Sequence, residues 1–139
     1  MRLTHDDALA RLAGHHHAVL ATVHATRGVD LVPVVFALDA EGHVGIPVDT
    51  VKPKQSKDLQ RITNLEADPR ASLLAEHWDD DWSRLWWVRA ELRWEPEPTP
   101  ELIESLSELL AGRYVQYRDR PFARVLVLRM VGLSGWSAE

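Results

Sequence analysis

The sequence contains no cysteine. That excludes disulfides and every metal site built on thiolate ligands. No apolar run approaches the roughly 18 residues that a membrane-spanning helix needs. The opening stretch, MRLTHDDALARLAG, is polar and charged and has no signal-peptide core. With a formal net charge of −5, the chain lacks the basic excess by which nucleic-acid binders hold a phosphate backbone. It also lacks GxGxxG and GxxxxGKS/T, the phosphate-binding turns of dinucleotide and P-loop folds. These absences fit a cytoplasmic protein of one domain, residues 1–139, with neither nucleic acid nor membrane as a partner.

Lysine is nearly absent as well. Of 16 basic side chains only three are lysines, Lys52, Lys54 and Lys57, and they fall within six residues. Tyrosine and phenylalanine number two each, whereas tryptophan numbers six. Five of the tryptophans lie between Trp78 and Trp94.

What remains is enough for one core. The chain has 139 residues, 45% of them apolar, and a domain of this size buries roughly 68% of its unfolded surface. THDDALARLAG reads as a short helix: Thr4 caps it, Asp6 and Asp7 suit its first turn, and Gly14 ends it. Strands are expected over 17–25 and 30–39, joined by a hairpin at Arg27-Gly28, and over 43–48 after the turn AEG. Pro33 and Pro47 interrupt these strands, so each should lie at an edge or a bulge.

After a loop containing Pro53, Ser56 reads as the N-cap of a helix. Its apolar positions are Leu59, Ile62 and Leu65, and Asp68-Pro69 ends it. Strands follow over 70–78 and 85–94. The linker EPEPTP leads into a helix over 100–112 with Leu102, Ile103, Leu106, Leu109 and Leu110 as its buried stripe. A last strand spans 123–136. Six strands joined largely by hairpins imply a mainly β, antiparallel sheet that closes into a barrel with flanking helices.

The lysines sit in VDTVKPKQSKDLQRI, between a strand and a helix N-terminus. Lysine ammonium groups suit phosphate or carboxylate oxygens. The first turn of a helix adds free N–H groups and a favourable dipole. With the hydroxyls of Thr50 and Ser56, the segment can form an anion cradle. A solvated basic loop is the competing reading.

Other clusters read more plainly. In HHH, residues 15–17, alternate residues share a face, so only His15 and His17 could share an ion. Ordinary surface or strand-end histidines are the preferred reading. WDDDW, residues 78–82, reads as a solvated turn, although paired carboxylates can bind Mg²⁺ or do acid–base work. The tryptophans are expected in the core and at a dimer interface rather than against bases.

Taken together, DLVPVVFALD, VKPKQSKDLQRITNLEADPRASLL and WVRAEL resemble the pyridoxamine 5′-phosphate oxidase-like split-barrel family. They look most like its small members that use the deazaflavin F420. The register from Asn64 to Leu74, N-L-E-A-D-P-R-A-S-L-L, carries most of the likeness. The resemblance implies a six-stranded antiparallel split β-barrel of the FMN-binding type. It implies a homodimer with the cofactor ring in a cleft between protomers.

Lys52, Lys54 and Lys57 would take the cofactor's phosphate or polyglutamate carboxylates, with Thr50 and Ser56 adding hydrogen bonds. Pro33, Val34, Pro47 and Val48 would lie by the ring, and Trp78 and Trp86 would approach from the partner. The implied chemistry is hydride transfer between F420 and a small electron-poor substrate, with no catalytic residue identified. FMN in place of F420, a non-catalytic cofactor-binding protein, and haem ligation through a histidine are the alternatives.

Overall fold

A computed structural model describes residues 1–49 and 56–139, with backbone alone for 56–59. In chain order the elements are α1 (His5–Gly14), β1 (Ala18–His24), β2 (Gly28–Val34), β3 (Ala37–Leu38), β4 (His43–Asp49), α2 (Ser56–Ala67), β5 (Arg70–His77), β6 (Trp86–Trp94), α3 (Pro100–Arg113) and β7 (Phe122–Ser137). Single 3₁₀ turns occupy Trp82–Arg84 and Val115–Tyr117. Among the described residues no helix is long and apolar enough to cross a membrane.

The strands form one sheet in the order β2-β1-β5-β6-β7-β4-β3, and every pairing is antiparallel. It has seven strands, not the six expected. The extra strand arises because the stretch expected over 30–39 breaks at Val35-Phe36. Phe36 turns inward and is 0% exposed. Its N–H donates to Tyr114 Oη at 3.3 Å, and its carbonyl oxygen lies 2.8 Å from the same hydroxyl. A burial site supplied by a residue so distant in sequence has no local signal.

β7 shapes the sheet. Its first half pairs with β4 and its second half with β6. Opposite Glu91-Leu92 the register jumps from Gly132 to Met130, which leaves Val131 as the extra residue of a bulge. A bulge bends its strand and increases the local twist, so the sheet curls round. The edge strands β2 and β3 do not pair with each other, and the barrel stays open between β2 and the β3–β4 edge. Both prolines obey the edge rule. Pro33 lies in the edge strand β2, and Pro47 lies beyond the β3–β4 pairs, beside the irregularity at Val48/Asp49.

The main core fills the inside of the curl with Leu20, Phe36, Ile46, Leu65, Leu73, Leu92 and Leu128, each at most 1% exposed. A second cluster lies between α3 and the β3–β4–β7 edge, built on Ala37, Leu106, Leu110, Val125 and Val127. Of the expected stripe on α3, Leu109 is exposed instead. Thr99 caps α3, accepting from Leu102 N at 3.2 Å, with Pro100 at the first helical position, where its missing N–H costs nothing.

Candidate functional site

Thr50, Lys52 and Lys54 lie outside the described residues, and so do the side chains of Ser56 and Lys57. What is described is how the two ends of that segment are held. At the β4 end, Tyr117 Oη donates to Asp49 Oδ1 at 2.8 Å. Burial and the Asp49 carboxylate push the Tyr117 phenol well above its usual range, so it stays a donor. At the other end, Ser56 is the first residue of α2 rather than a residue preceding it.

α2 is anchored by Asn64, which is 2% exposed. Its Nδ2 donates to Thr22 Oγ1 at 3.0 Å and to Asp30 Oδ2 at 2.8 Å, and its Oδ1 accepts from Gln60 Nε2 at 2.8 Å. Asp30 also accepts from Arg27 Nη2 at 3.0 Å. The hydrogen bond from Asn64, followed by the charge of Arg27, holds the Asp30 carboxyl below its ordinary range. The helix whose first turn includes Lys57 is thus tied to the β1–β2 hairpin.

The four strand-end residues divide by face. Pro33 is exposed, and opposite it across β1 stands Leu74, about 10 Å away at the usual strand spacing. Val34 is 7% exposed and belongs to the core. Pro47 is buried opposite Val125, a member of the cluster under α3. Val48 packs against the main core. At Val34 and Pro47 only the backbone is available to a ligand.

Trp78 and Trp86 meet in a groove of about 650 Å³ at the β5–β6 end of the barrel. Trp87, Trp136, Leu74 and Arg89 also line it. The last four are functional candidates that the sequence alone did not single out. Trp87 and Trp136 are 49 positions apart in the chain and become neighbours only through the β6–β7 register. Arg89 stacks over the Trp87 ring at 5.3 Å and donates to Glu91 Oε2 at 3.0 Å. Ser72 Oγ donates to the other Glu91 oxygen at 2.8 Å. The outer sheet face next to the groove carries exposed apolar side chains, among them Val29, Leu31 and Leu74. Trp78 and Trp82 are themselves exposed, and of the six tryptophans only Trp94 is in the core.

Of the three consecutive histidines, His15 lies against Trp86 of the groove, His17 lies beside His15, and His16 lies against Tyr114. Arg113, ending α3, donates Nη1 to Ala13 O at 2.7 Å and Nη2 to His15 O. Tyr114 Oη lies 2.8 Å from His16 O. The His15 ring meets the edge of Trp86 at 5.1 Å and the His17 ring at 5.0 Å, while His77 stacks on Trp86 at 6.3 Å. Arg11 lies over the same indole at 5.5 Å. Burial lowers the basicity of His15, and His17 acts in the same direction. His15 Nε2 is buried with no hydrogen-bond partner.

Two acidic clusters are explained by local structure. Asp39 Oδ1 accepts from the N–H groups of Glu41 and His43, and Oδ2 pairs with His43 Nδ1 at 2.8 Å. This closes the β3–β4 turn. In WDDDW, Asp79 accepts from Asp81 N and pairs with Arg84, while Asp81 caps the 3₁₀ turn. That is the solvated turn expected from the sequence.

No protein-family model and no curated protein matches the sequence. Solved structures do match. A conserved hypothetical protein from Mycobacterium tuberculosis superposes with TM-score 0.77 at 18% identity, over 99% of this chain and 86% of the other. A FAD-binding protein from Mesorhizobium loti gives 0.70 at 17%, over 97% and 93%. The heme storage protein HutZ from Vibrio cholerae gives 0.66 at 18%, over 96% and 94%. At such identities the likeness is one of fold. The chain is mainly β, with helices flanking an antiparallel sheet that curls without closing, and it shares this split-barrel architecture with those proteins.

Proposed function

We propose that the chain binds an isoalloxazine-type cofactor, F420 in the first place, and transfers hydride between it and a small electron-poor substrate. The observation that carries this reading is the position of the lysines. In the sequence Lys52 and Lys54 lie between the end of β4 and the start of α2, and Lys57 is the second residue of α2, a helix held firmly by Asn64. Flexible cations at a helix N-terminus suit a phosphate- or carboxylate-bearing tail. The tryptophan-lined groove fits a flat tricyclic ring in size and polarity, since ligand clefts of roughly 300–1,000 Å³ are usual.

In this reading Lys52, Lys54 and Lys57 hold the tail, with Thr50 and Ser56 as hydroxyl donors. Trp78 and Trp86 of one protomer approach a ring that rests on the strand ends of its partner, at Pro33 and Val48 and along the backbone of Val34 and Pro47. The exposed apolar outer face supports a homodimer, because patches of this kind on soluble proteins mark contact surfaces. When bound, the cofactor supplies the reactive carbon, and the protein orients the substrate and excludes water.

FMN is the second choice of cofactor, and the FAD-binding neighbour favours it. Binding without turnover is the second choice of role, and the heme storage neighbour favours that. Fluorescence titration with F420 and FMN in parallel tests the proposal. Tight F420 binding followed by oxidation of reduced F420 with an enone is the expected result. Much tighter FMN binding overturns the choice of cofactor, and binding without turnover across an enone panel overturns the catalytic role. Failure to bind either one overturns the whole reading.

A further inference from the structure

We propose that His15 and His17 bind a first-row transition-metal ion of the Zn²⁺, Ni²⁺ or Cu²⁺ class, with His77 of β5 and water completing its coordination. Imidazole is the side-chain ligand best suited to these ions.

The geometry of the pair carries the proposal. The rings of His15 and His17 have centroids 5.0 Å apart, inclined by 40°. Two imidazoles on one tetrahedral zinc, with Zn–N bonds of about 2.0–2.1 Å, place their ring centres about 5 Å apart. The observed separation matches that spacing. The backbone that carries the rings is fixed: Arg113 holds the carbonyls of Ala13 and His15, and Tyr114 holds that of His16. The same clamp turns His16 away, so that its ring lies against Tyr114 at 6.1 Å. Two of three consecutive histidines thus face one another and the third does not.

His15 adds a second observation. Its Nε2 is buried and makes no hydrogen bond, which is costly for a polar atom unless something satisfies it. A metal ion would do so. His77 stacks on the Trp86 ring that His15 also meets, and stands close enough to bear on the charge state of His15; its side chain is exposed. Its contact with Asp79 is long at 3.6 Å. Among the described residues, the group of three whose ligand atoms already converge is Asp39, Glu41 and His43. Its Asp39 oxygens are committed to the turn.

The test is a calorimetric titration of the untagged full-length chain with Cu²⁺, Ni²⁺ and Zn²⁺, with tryptophan emission followed in parallel. Trp86 touches the His15 ring, so bound Cu²⁺ should quench part of the emission. One ion per chain is expected. His17→Ala, at an exposed position that leaves the fold alone, should weaken binding at least tenfold, or about 1.4 kcal/mol. His77→Ala should weaken it less, and His16→Ala should leave it unchanged. Equal losses in His16→Ala and His17→Ala would mark a non-specific histidine run and overturn the proposal. So would binding that survives His17→Ala but is lost in Asp39→Asn, or no binding beyond that of the His15→Ala/His17→Ala double variant.

Discussion

Asn64 Nδ2 donates to Thr22 Oγ1 at 3.0 Å, and both side chains are 2% exposed. This one contact joins α2 to the middle of β1, and Asp30 and Gln60 occupy the rest of the Asn64 amide. Asn64→Ala would leave Thr22 without its donor inside the core. Leaving a buried polar group unsatisfied costs about 1–3 kcal/mol. The urea midpoint should fall accordingly, and cofactor affinity should fall with it because the helix at the lysine segment loses its anchor. An unchanged midpoint would show that the network is dispensable.

The Asp68–Arg70 pair predicts a pH dependence. Arg70 donates Nη2 to Asp68 Oδ2 at 2.7 Å, and its side chain and N–H lower the carboxyl from 3.8 to about 2. A carboxyl depressed in the folded state stabilises above its unfolded value, and the effect fades as pH falls towards its folded value. The stability difference between wild type and Asp68→Asn should be constant at neutral pH and shrink between about pH 4 and pH 2. Urea midpoints measured across that range check it, and a constant difference down to pH 2 would contradict it.

Gly45 has a steric reason to be glycine. A Cβ there would stand 3.1 Å from Leu106 Cβ and 3.2 Å from Val125 Cγ1. Gly45→Ala should push α3 off β4 and cost about 1–3 kcal/mol, as overpacking does. A thermal melt checks this, and a stabilised variant would show that α3 can move away without loss.

The outer sheet face predicts the assembly. Leu31 is 69% exposed, so a charge there should not disturb the monomer's own core. Leu31→Asp should convert a dimer into a monomer in light scattering and weaken cofactor binding at the same time. A variant that remains dimeric would place the interface elsewhere.

Much of the fold could be read from local signals. The hairpin at Arg27-Gly28 needs a residue with positive φ, and Gly28 has φ +102°. Thr4 and Thr99 cap their helices, and Asp68-Pro69 ends α2. The prolines found their edges. The break at Phe36 could not be read, because its cause is the hydroxyl of Tyr114. Nor could the wall of the groove, since Trp136 joins Trp87 only after β7 has bent round the barrel. HHH reads alike at all three positions, and the difference between His16 and its neighbours comes from the end of α3. Residue type and spacing reveal what the backbone does locally, whereas register and closure decide which side chains meet.

The lysine segment is where the functional account can be tested most directly. The measurement is the dissociation constant of F420 for the wild type and for the Lys52→Ala/Lys54→Ala/Lys57→Ala variant, with unchanged circular dichroism as the check on folding. A charge-assisted contact is worth ~1.5–3 kcal/mol, so the loss of even one weakens binding about tenfold or more. The account predicts a loss of at least that size, growing smaller as salt is raised. An equal dissociation constant for the two proteins would contradict it and leave the three lysines as solvated surface.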